Sequence, residues 1–408
     1  MSVFDRRNEM MPRAELEQVQ LERLQALVAR LRRNVRRYRE RLTEARVESL
    51  ADLDRLCFTT PEDMVESFPY GMFAFPLREI IRLYSTLGPE GRPLVTGHTR
   101  NDLTQWGRLA ARQLAAAGVT ANDVVQVSLG RTADSSAAGY VLGAELLEAS
   151  VIAEDPLHMD YQFEILKNYR PTFLITTPTH AVELTRTMES RRMDPQSLQL
   201  RAVILSRPVA QDLREQLASG LFASIKCNFG VPEVLDPGLT LECEAGRMHV
   251  QEDQFLPEIQ DGELVITTLG REALPLLRYR TRVSAVLQRD KCPCGRCGAV
   301  IQPGPRLDQQ LRVNEIEFYT RQVSEVLEQT RAAGNAIRLE AGERRLVVNV
   351  EMSERLFAKA LTSPAESKRE IESEIFTRLG IEAEVRYVQP KGRGEVGEPW
   401  LWAWETVC

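Results

Sequence analysis

Residues of the types that bind zinc lie in two short stretches of the chain. In the first stretch, Cys243 and His249 flank a polar turn, 244–247. A hairpin centred on Gly246 would place Cys243 directly opposite His249 on one face, with their Cβ atoms roughly 5 Å apart. That separation suits two ligands of one tetrahedral zinc ion, which takes both thiolate and imidazole.

The second stretch is a cysteine knuckle. Cys292, Cys294 and Cys297 follow one another closely, with Pro293 and Gly295 between them. The two stretches offer four cysteines and one histidine for the four ligand positions of one zinc ion, so one cysteine is surplus. The alternative is a set of buried or surface thiols without metal. A closed site with four protein ligands would be structural, and metal binding would then contribute about 10 kcal/mol to folding.

The composition excludes several classes of protein. The chain has 408 residues, which predicts two or three domains. A net charge of −6 gives no reason to expect nucleic-acid binding. No apolar run approaches membrane-spanning length, so no membrane association is expected. The amino terminus lacks the apolar segment of a signal peptide and the cysteines are clustered, and both features predict a cytoplasmic protein.

The periodicity of apolar residues predicts the elements that must position these groups. Residues 13–46 carry apolar side chains at steps of three and four, which predicts one long amphipathic helix. Between residues 124 and 228, strand-like and helix-like segments alternate, which predicts a largely parallel sheet covered by helices. Ligands of such sheets lie beyond the carboxyl ends of the strands. The candidate loops follow Leu83, Leu129, Leu205 and Asn228.

This alternation stops after Pro305. A helix is predicted over 315–328, and an antiparallel strand pair is predicted around the turn 340–343. We therefore predict an α/β protein with a large amino-terminal domain, residues 1–305, and a small α+β domain, residues 306–408.

Several segments, taken together, resemble one family. They are FPYGMFAFPLREIIRLYSTLGPEGRP, FGVPEVLDPG, MHVQEDQFLPEI and ALPLLRYRTR, in that order along the chain. Their order and spacing resemble the phenylacetate–CoA ligase family, the branch of the adenylate-forming enzymes that includes the coenzyme F390 synthetases. The resemblance implies a large AMP-binding domain with a mostly parallel, helix-covered sheet. It also implies a small carboxy-terminal domain that acts as a rotating lid.

The resemblance also implies a reaction and its ligands. Enzymes of the family join a carboxylate to the adenylate part of ATP, with Mg²⁺, which gives an acyl-adenylate and releases pyrophosphate. The CoA thiolate then attacks the acyl-adenylate, which gives the acyl-CoA and releases AMP. A small carboxylic acid or an acyl-CoA would therefore be the ligand of this chain, and a homodimer is expected. Family members often bind zinc through a Cys-x₅-His hairpin and a Cys-x-Cys pair. The implied zinc ligands are Cys243, His249, Cys292 and Cys294, which leaves Cys297 as the surplus cysteine.

The family's motifs also imply the residues of a nucleotide site. The phosphate loop S-S-G-T-T-G-K-P resembles residues 86–93, the motif Tyr-Gly-x-Ser/Thr-Glu resembles 229–233, and the ribose motif R-T-x-D resembles 280–283. Glu233 is the candidate catalytic residue. The candidate nucleotide- and substrate-binding residues are Thr86, Gly88, Gly91, Arg92, Phe229, Gly230, Arg280 and the hinge residues Arg306 and Asp308.

The chain departs from these motifs where the chemistry would occur. Pro89 has no N–H group to donate to a phosphate, and Glu90 places a negative charge where anions would dock. Val283 stands where the family has the aspartate that accepts the ribose hydroxyls. The loss of two charge-assisted hydrogen bonds of about 1.5–3 kcal/mol each would lower the affinity for ATP by a hundredfold or more.

Further departures concern the remaining motifs. Pro232 replaces the hydroxyl residue of the 229–233 motif, and the family's G-A-E-P loop reads Leu205-Ser206-Arg207-Pro208. The carboxy-terminal lysine of the family falls near Glu398, where Lys391 is the only nearby ammonium group.

Two hypotheses follow. In the first, the chain is a degenerate or repurposed family member that keeps the fold and binds a ligand or partner. In the second, it is a working ATP-dependent ligase for an aromatic or other carboxylic acid. Glu233 and Arg280 would then be its best-placed surviving groups.

Overall fold

A computed structural model describes residues 3–130, 134–154, 158–342, 344–352 and 364–389. The chain forms two compact units, Met1–Gln310 and Leu311–Cys408. The helices of the first unit are α1 (Arg6–Glu9), α2 (Arg13–Asn34), α3 (Arg36–Arg41), α4 (Pro61–Glu66), α5 (Arg100–Ala117), α6 (Asp134–Leu146), α7 (Met159–Tyr169), α8 (Pro178–Arg191) and α9 (Gln211–Leu221). Within the described residues, none of the helices combines the length and the apolar character needed to cross a bilayer.

A parallel sheet lies at the centre of the first unit. Its strands are β3 (Val124–Ser128), β4 (Ser150–Ile152), β5 (Phe173–Thr176), β6 (Ala202–Leu205) and β7 (Ser224–Cys227). They pair in the order β4-β3-β5-β6-β7, and every pair is parallel. All residues of β5 and β6 are buried, because helices cover both faces of the sheet. The predicted α/β fold class is confirmed.

The hairpin of β1 (Arg82–Leu87) and β2 (Pro93–His98) is separate from this sheet. The strand predicted to end at Leu83 continues to Leu87 and pairs with β2 in antiparallel register. The interpretation of Leu83 as the carboxyl end of a strand in the parallel sheet is therefore wrong.

An antiparallel sheet that the sequence analysis did not predict follows the parallel one. Its strands are β8 (Thr240–Glu242), β9 (Met248–Val250), β10 (Phe255–Gln260), β11 (Glu263–Thr268), β12 (Tyr279–Gln288) and β13 (Val300–Arg306). They pair in the order β10-β11-β12-β13-β9-β8. This sheet carries two of the candidate zinc ligands near one edge and the candidate ribose segment on β12.

The long amino-terminal helix is broken. Residue Val35 has an extended backbone, with φ −110° and ψ 113°, and separates α2 from α3. The prediction of one helix over 13–46 is therefore wrong. Both Val35 and Tyr38 are nevertheless buried in the core, with exposures of 0% and 1%.

The second unit has its own small core. Its elements are β14 (Gln310–Val313), β15 (Ile316–Tyr319), α10 (Thr320–Leu327), β16 (Ile337–Ala341), β17 (Leu346–Glu351), α11 (Pro364–Leu379) and β18 (Ala383–Val388). The antiparallel pair β16-β17 was predicted, and β18 adds to it in parallel. The predicted helix over 315–328 is shorter than expected, because residues 316–319 form β15 and only Thr320–Leu327 is helical.

The free energy of unfolding is expected to decrease as the pH is lowered, because of a buried histidine at the end of β2. His98 stacks on Trp106 with ring centroids 4.8 Å apart, and its Nδ1 accepts a hydrogen bond from Arg271. Burial and then the charges of Arg271 and Arg82 lower the pKa of His98 from 6.5 to about 2. Between these two values only the unfolded chain binds this proton. The contribution of His98 is therefore complete above pH 6.5 and is lost as the pH falls, by at most about 1.4 kcal/mol per pH unit.

Urea unfolding at a series of pH values would measure this slope. His98→Asn keeps an acceptor for Arg271 and removes the titration, so the variant should be less stable at neutral pH but should lose less stability below pH 6.5. The other acidic groups are common to both proteins and cancel in the difference. Equal slopes for the two proteins would contradict the assignment to His98.

Candidate functional site: a cysteine–histidine cluster and the segments that resemble a nucleotide site

Four side chains converge at the edge of the antiparallel sheet. The ligand atoms of Cys243, His249, Cys292 and Cys294 all lie within 4.8 Å of one another, and all four residues are buried. The Sγ atoms of Cys243 and Cys292 are 3.8 Å apart, and Cys294 Sγ is 3.4 Å from His249 Nε2. Two thiolates bound to zinc at about 2.3 Å in a tetrahedron lie about 3.8 Å apart, so the donor set fits a zinc ion.

The orientation of the imidazole also fits a metal ligand. His249 Nδ1 lies 2.7 Å from the carbonyl oxygen of Gly298, so Nδ1 carries the hydrogen and Nε2 is left as the donor atom facing the thiols. A backbone carbonyl in this role fixes the tautomer and the ring orientation of a metal-binding histidine.

The register of the hairpin differs from the prediction. His249 pairs with Leu241, and the Cys243 N–H donates to Arg247, so the prediction that Cys243 and His249 are directly opposed is wrong. The turn is centred on Ala245, one residue earlier than expected. This shifts the register by two residues, which preserves the face of each side chain. Cys243 and His249 therefore lie diagonally on the same face and still meet.

The surplus cysteine is Cys297. Its Sγ donates to the carbonyl of Asn8, and its N–H donates to the carbonyl of Glu9. The spacing alone had left the choice among the cysteines open. The fold resolves it, because Cys297 faces the amino-terminal segment and is not part of the cluster of four.

The loop that resembles the phosphate loop closes on itself. The N–H of Gly88 donates to the carbonyl of Arg92, that of Gly91 to Gly88, and that of Arg92 to Pro89. Pro89 has no N–H group. Gly88, Gly91 and Arg92 therefore lie together in one tight turn, and their N–H groups are hydrogen-bonded to carbonyls of the same turn.

Thr86 and Glu233 are brought together from distant parts of the chain. The Thr86 hydroxyl donates to Glu233 Oε1 at 3.0 Å, linking β1 to the loop that follows β7. Phe229 and Gly230 begin that loop, and Phe229 is buried. The residues of two separate motifs thus meet beside the loop that follows β7.

Asp236, which is not among the candidates named from the sequence, lies beside the same loop. Its carboxylate accepts from Ser136 Oγ at 2.5 Å and from Asn228 Nδ2 at 2.6 Å. A Cβ atom at Gly230 would overlap this carboxylate, so only glycine fits there. Burial and the charge of Asp236 raise the pKa of Tyr140 well above its usual value, so this phenol stays neutral. The only feature of the sequence that indicated this residue is the aspartate of the segment FGVPEVLDPG.

Arg280 is held in a network on β12. It donates to Glu263 at 2.9 Å and to Asp261 at 3.3 Å, and its guanidinium lies 4.7 Å from the Phe58 ring centroid. The second oxygen of Glu263 accepts from the N–H of Arg282. Glu263 is 4% exposed, so its carboxylate is enclosed by these donors.

Val283 lies opposite Arg306 in the pairing of β12 with β13. Arg306 in turn forms a two-point ion pair with Asp308, at 2.8 and 2.6 Å. The two hinge candidates therefore bind each other, and the side chain that faces them across the strand pair is apolar. Lys391 and Glu398, which stand near the position of the family's carboxy-terminal lysine, lie outside the described residues.

Comparison with known proteins identifies the family. No family model matches the chain. It is 34% identical to a phenylacetate-coenzyme A ligase of Thermus thermophilus over 342 residues, which cover 78% of this chain and 76% of the relative. It is 33% identical to that of Pseudomonas putida over 331 residues, 76% of this chain and 75% of the relative. The chain belongs to the phenylacetate–CoA ligase family.

Solved structures confirm the fold. A 2-hydroxyisobutyryl-CoA ligase in complex with 2-HIB-AMP and CoA superposes with a TM-score of 0.83 at 23% identity, covering 95% of this chain and 89% of that chain. An amide bond synthetase from Marinactinospora thermotolerans superposes with a TM-score of 0.56 at 15% identity, covering 76% and 66%. The adenylate-forming ligase fold is therefore present.

Proposed function

We propose that this chain is a phenylacetate–CoA ligase family member that no longer forms acyl-adenylates and that keeps the scaffold to bind a small carboxylic acid or an acyl-CoA. The observation that carries the proposal is the closed turn at residues 88–92. A triphosphate site needs backbone N–H groups that point outward to the phosphates. Here the N–H groups of Gly88, Gly91 and Arg92 are hydrogen-bonded within the turn, and Pro89 supplies none.

The ribose position supports the same conclusion. Val283 cannot accept a hydrogen bond, and the neighbouring carboxylates are engaged: Glu263 with Arg280 and Arg282, and Asp308 with Arg306. The loss of two charge-assisted bonds at about 1.5–3 kcal/mol each reduces ATP affinity by a hundredfold or more.

A second candidate function is a working ATP- and CoA-dependent carboxylate ligase. It is favoured by the 34% identity to a curated phenylacetate-coenzyme A ligase and by the surviving contact between Thr86 and Glu233. In that case Mg²⁺ would accompany the nucleotide, and residues 311–408 would act as the lid.

A pyrophosphate-release assay separates the two functions. The protein is given ATP, Mg²⁺ and a panel of aromatic and aliphatic acids, with and without CoA, beside the Thermus thermophilus relative as a positive control. We expect no release above that of a Glu233→Ala variant, because neither the phosphates nor the ribose are held. Acid-dependent release that Glu233→Ala abolishes would establish the ligase and overturn the proposal.

For the cluster of four, we propose a structural zinc ion held by Cys243, His249, Cys292 and Cys294. All four ligand positions are then filled by the protein, which leaves no open position for catalysis. The spacing of the sulfur and nitrogen atoms and the fixed tautomer of His249 support this assignment. Homodimer formation and a cytoplasmic location stay predictions.

A further inference from the structure

We infer that Arg296 and Glu9 couple the metal site to the amino-terminal segment, so that an occupied site fixes residues 8–10 on the cysteine knuckle and the segment in turn raises metal affinity. This inference rests on the proposed zinc ion. It concerns residues outside the four ligands and goes beyond the structural role proposed above.

The segment contacts the knuckle directly. Glu9 and Asn8 offer their carbonyl oxygens to the N–H and the Sγ of Cys297, at 2.9 and 3.4 Å. Met10 lies over Gly295, where a Cβ atom would come 3.8 Å from the methionine methyl carbon. All of these contacts are made to residues 292–297, the knuckle that also carries Cys292 and Cys294 of the cluster.

The Glu9 side chain adds a charged link. Its carboxylate accepts from Arg296 Nε at 3.0 Å, and both side chains are only 2% exposed. The Arg296 guanidinium also donates to Glu244 at 3.1 Å, and Arg296 follows Cys294 by two residues in the knuckle. A single guanidinium thus connects the knuckle that carries Cys292 and Cys294 to the amino-terminal segment.

The charges explain why this link affects the metal. Three thiolates and a neutral imidazole around Zn²⁺ leave a net charge of −1 in a buried place, and the buried guanidinium of the same knuckle offsets part of it. Glu9 holds that guanidinium in position by accepting from its Nε at 3.0 Å. Groups that orient a metal ligand in this way affect metal affinity by 10- to 100-fold.

The coupling must act in both directions. If the bound metal stabilises the docked segment, the docked segment stabilises the bound metal by the same free energy. The start of the segment has an independent anchor, because Asp5 pairs with Arg112 at 2.8 Å and Arg112 pairs with Asp253. Loss of the metal should therefore release residues 8–10 more than it releases Asp5.

Hydrogen exchange of the full chain tests the first direction. Zinc-loaded and chelator-treated protein are compared by mass spectrometry, with peptides from β5 and β6 as internal controls. We expect exchange in residues 8–12 to rise about tenfold or more after zinc removal, with β5 and β6 unchanged. Unchanged exchange in residues 8–12 after proven loss of zinc would overturn the inference.

Zinc affinity, measured by competition with a chromogenic chelator, tests whether the amino-terminal segment raises metal affinity. This measurement tests the coupling even if the zinc-free chain unfolds. We expect Glu9→Gln and Arg296→Gln to weaken zinc binding about 10- to 100-fold. Arg296→Lys keeps the charge and should restore part of the loss. The matched control Glu244→Gln removes the more exposed partner of Arg296 and should change affinity by no more than about twofold.

The outcomes distinguish this inference from the metal proposal. Wild-type protein without zinc would overturn both. Wild-type protein that contains zinc, with equal affinity in the Glu9→Gln and Glu244→Gln variants, would overturn the coupling alone.

Discussion

Replacing Cys292 with serine is expected to abolish zinc retention and to lower the free energy of unfolding by several kcal/mol. Cys292 is 7% exposed and lies 3.8 Å from Cys243, so a hydroxyl in its place leaves a closed site with three good ligands. The binding free energy of a structural zinc ion is about 10 kcal/mol and counts toward folding. Elemental analysis of the purified protein and urea unfolding would measure the two effects.

The matched control is Cys57→Ser. Cys57 is a half-buried thiol outside the cluster, so the variant should keep its zinc and unfold close to the wild type. If Cys292→Ser retained one zinc per chain, or if both variants unfolded alike, the proposed structural site would be wrong.

Restoring a carboxylate at position 283 is expected to raise ATP affinity about tenfold to a hundredfold. Aspartate has nearly the volume of valine. In this register it would face Arg306, whose charge favours the ionised form. The expected gain corresponds to hydrogen bonds to the ribose hydroxyls, each worth about 1.5–3 kcal/mol when one partner is charged.

Titration calorimetry with ATP and Mg²⁺ would measure the gain. Val283→Asn has the same shape without the charge and should gain clearly less than Val283→Asp. The closed turn at 88–92 is unchanged in both variants, so pyrophosphate release should remain absent. Two results would count against the assignment of this position: tight ATP binding by the wild type, or equal affinities for the two variants.

The candidate zinc ligands could be found in the sequence because their chemistry is specific to residue type, but the choice of Cys292 and Cys294 over Cys297 came from the family resemblance and not from the spacing. The assumed turn centre was one residue off, yet Cys243 and His249 still share a face, since a two-residue shift of register preserves parity. The pairing itself depends on turn geometry, which spacing alone does not specify.

The break at Val35 could not be read from the apolar pattern. That pattern continues across the break, since Leu31, Val35 and Tyr38 are all buried. Whether a helix continues or turns at such a point depends on what the neighbouring elements need to bury. Tertiary packing therefore overrode the helical periodicity here.

The sequence by itself determined the βα alternation, the parallel sheet and the family, because these follow from local periodicity and from motifs read in order. Only the tertiary structure decided which groups meet. Glu9 and Arg296 are 287 positions apart, and Thr86 and Glu233 are 147 apart. It also decided that the N–H groups of Gly88, Gly91 and Arg92 are hydrogen-bonded inside their own turn. Hydrogen bonds and ion pairs act over a few ångströms in space, and the folded chain alone sets those distances.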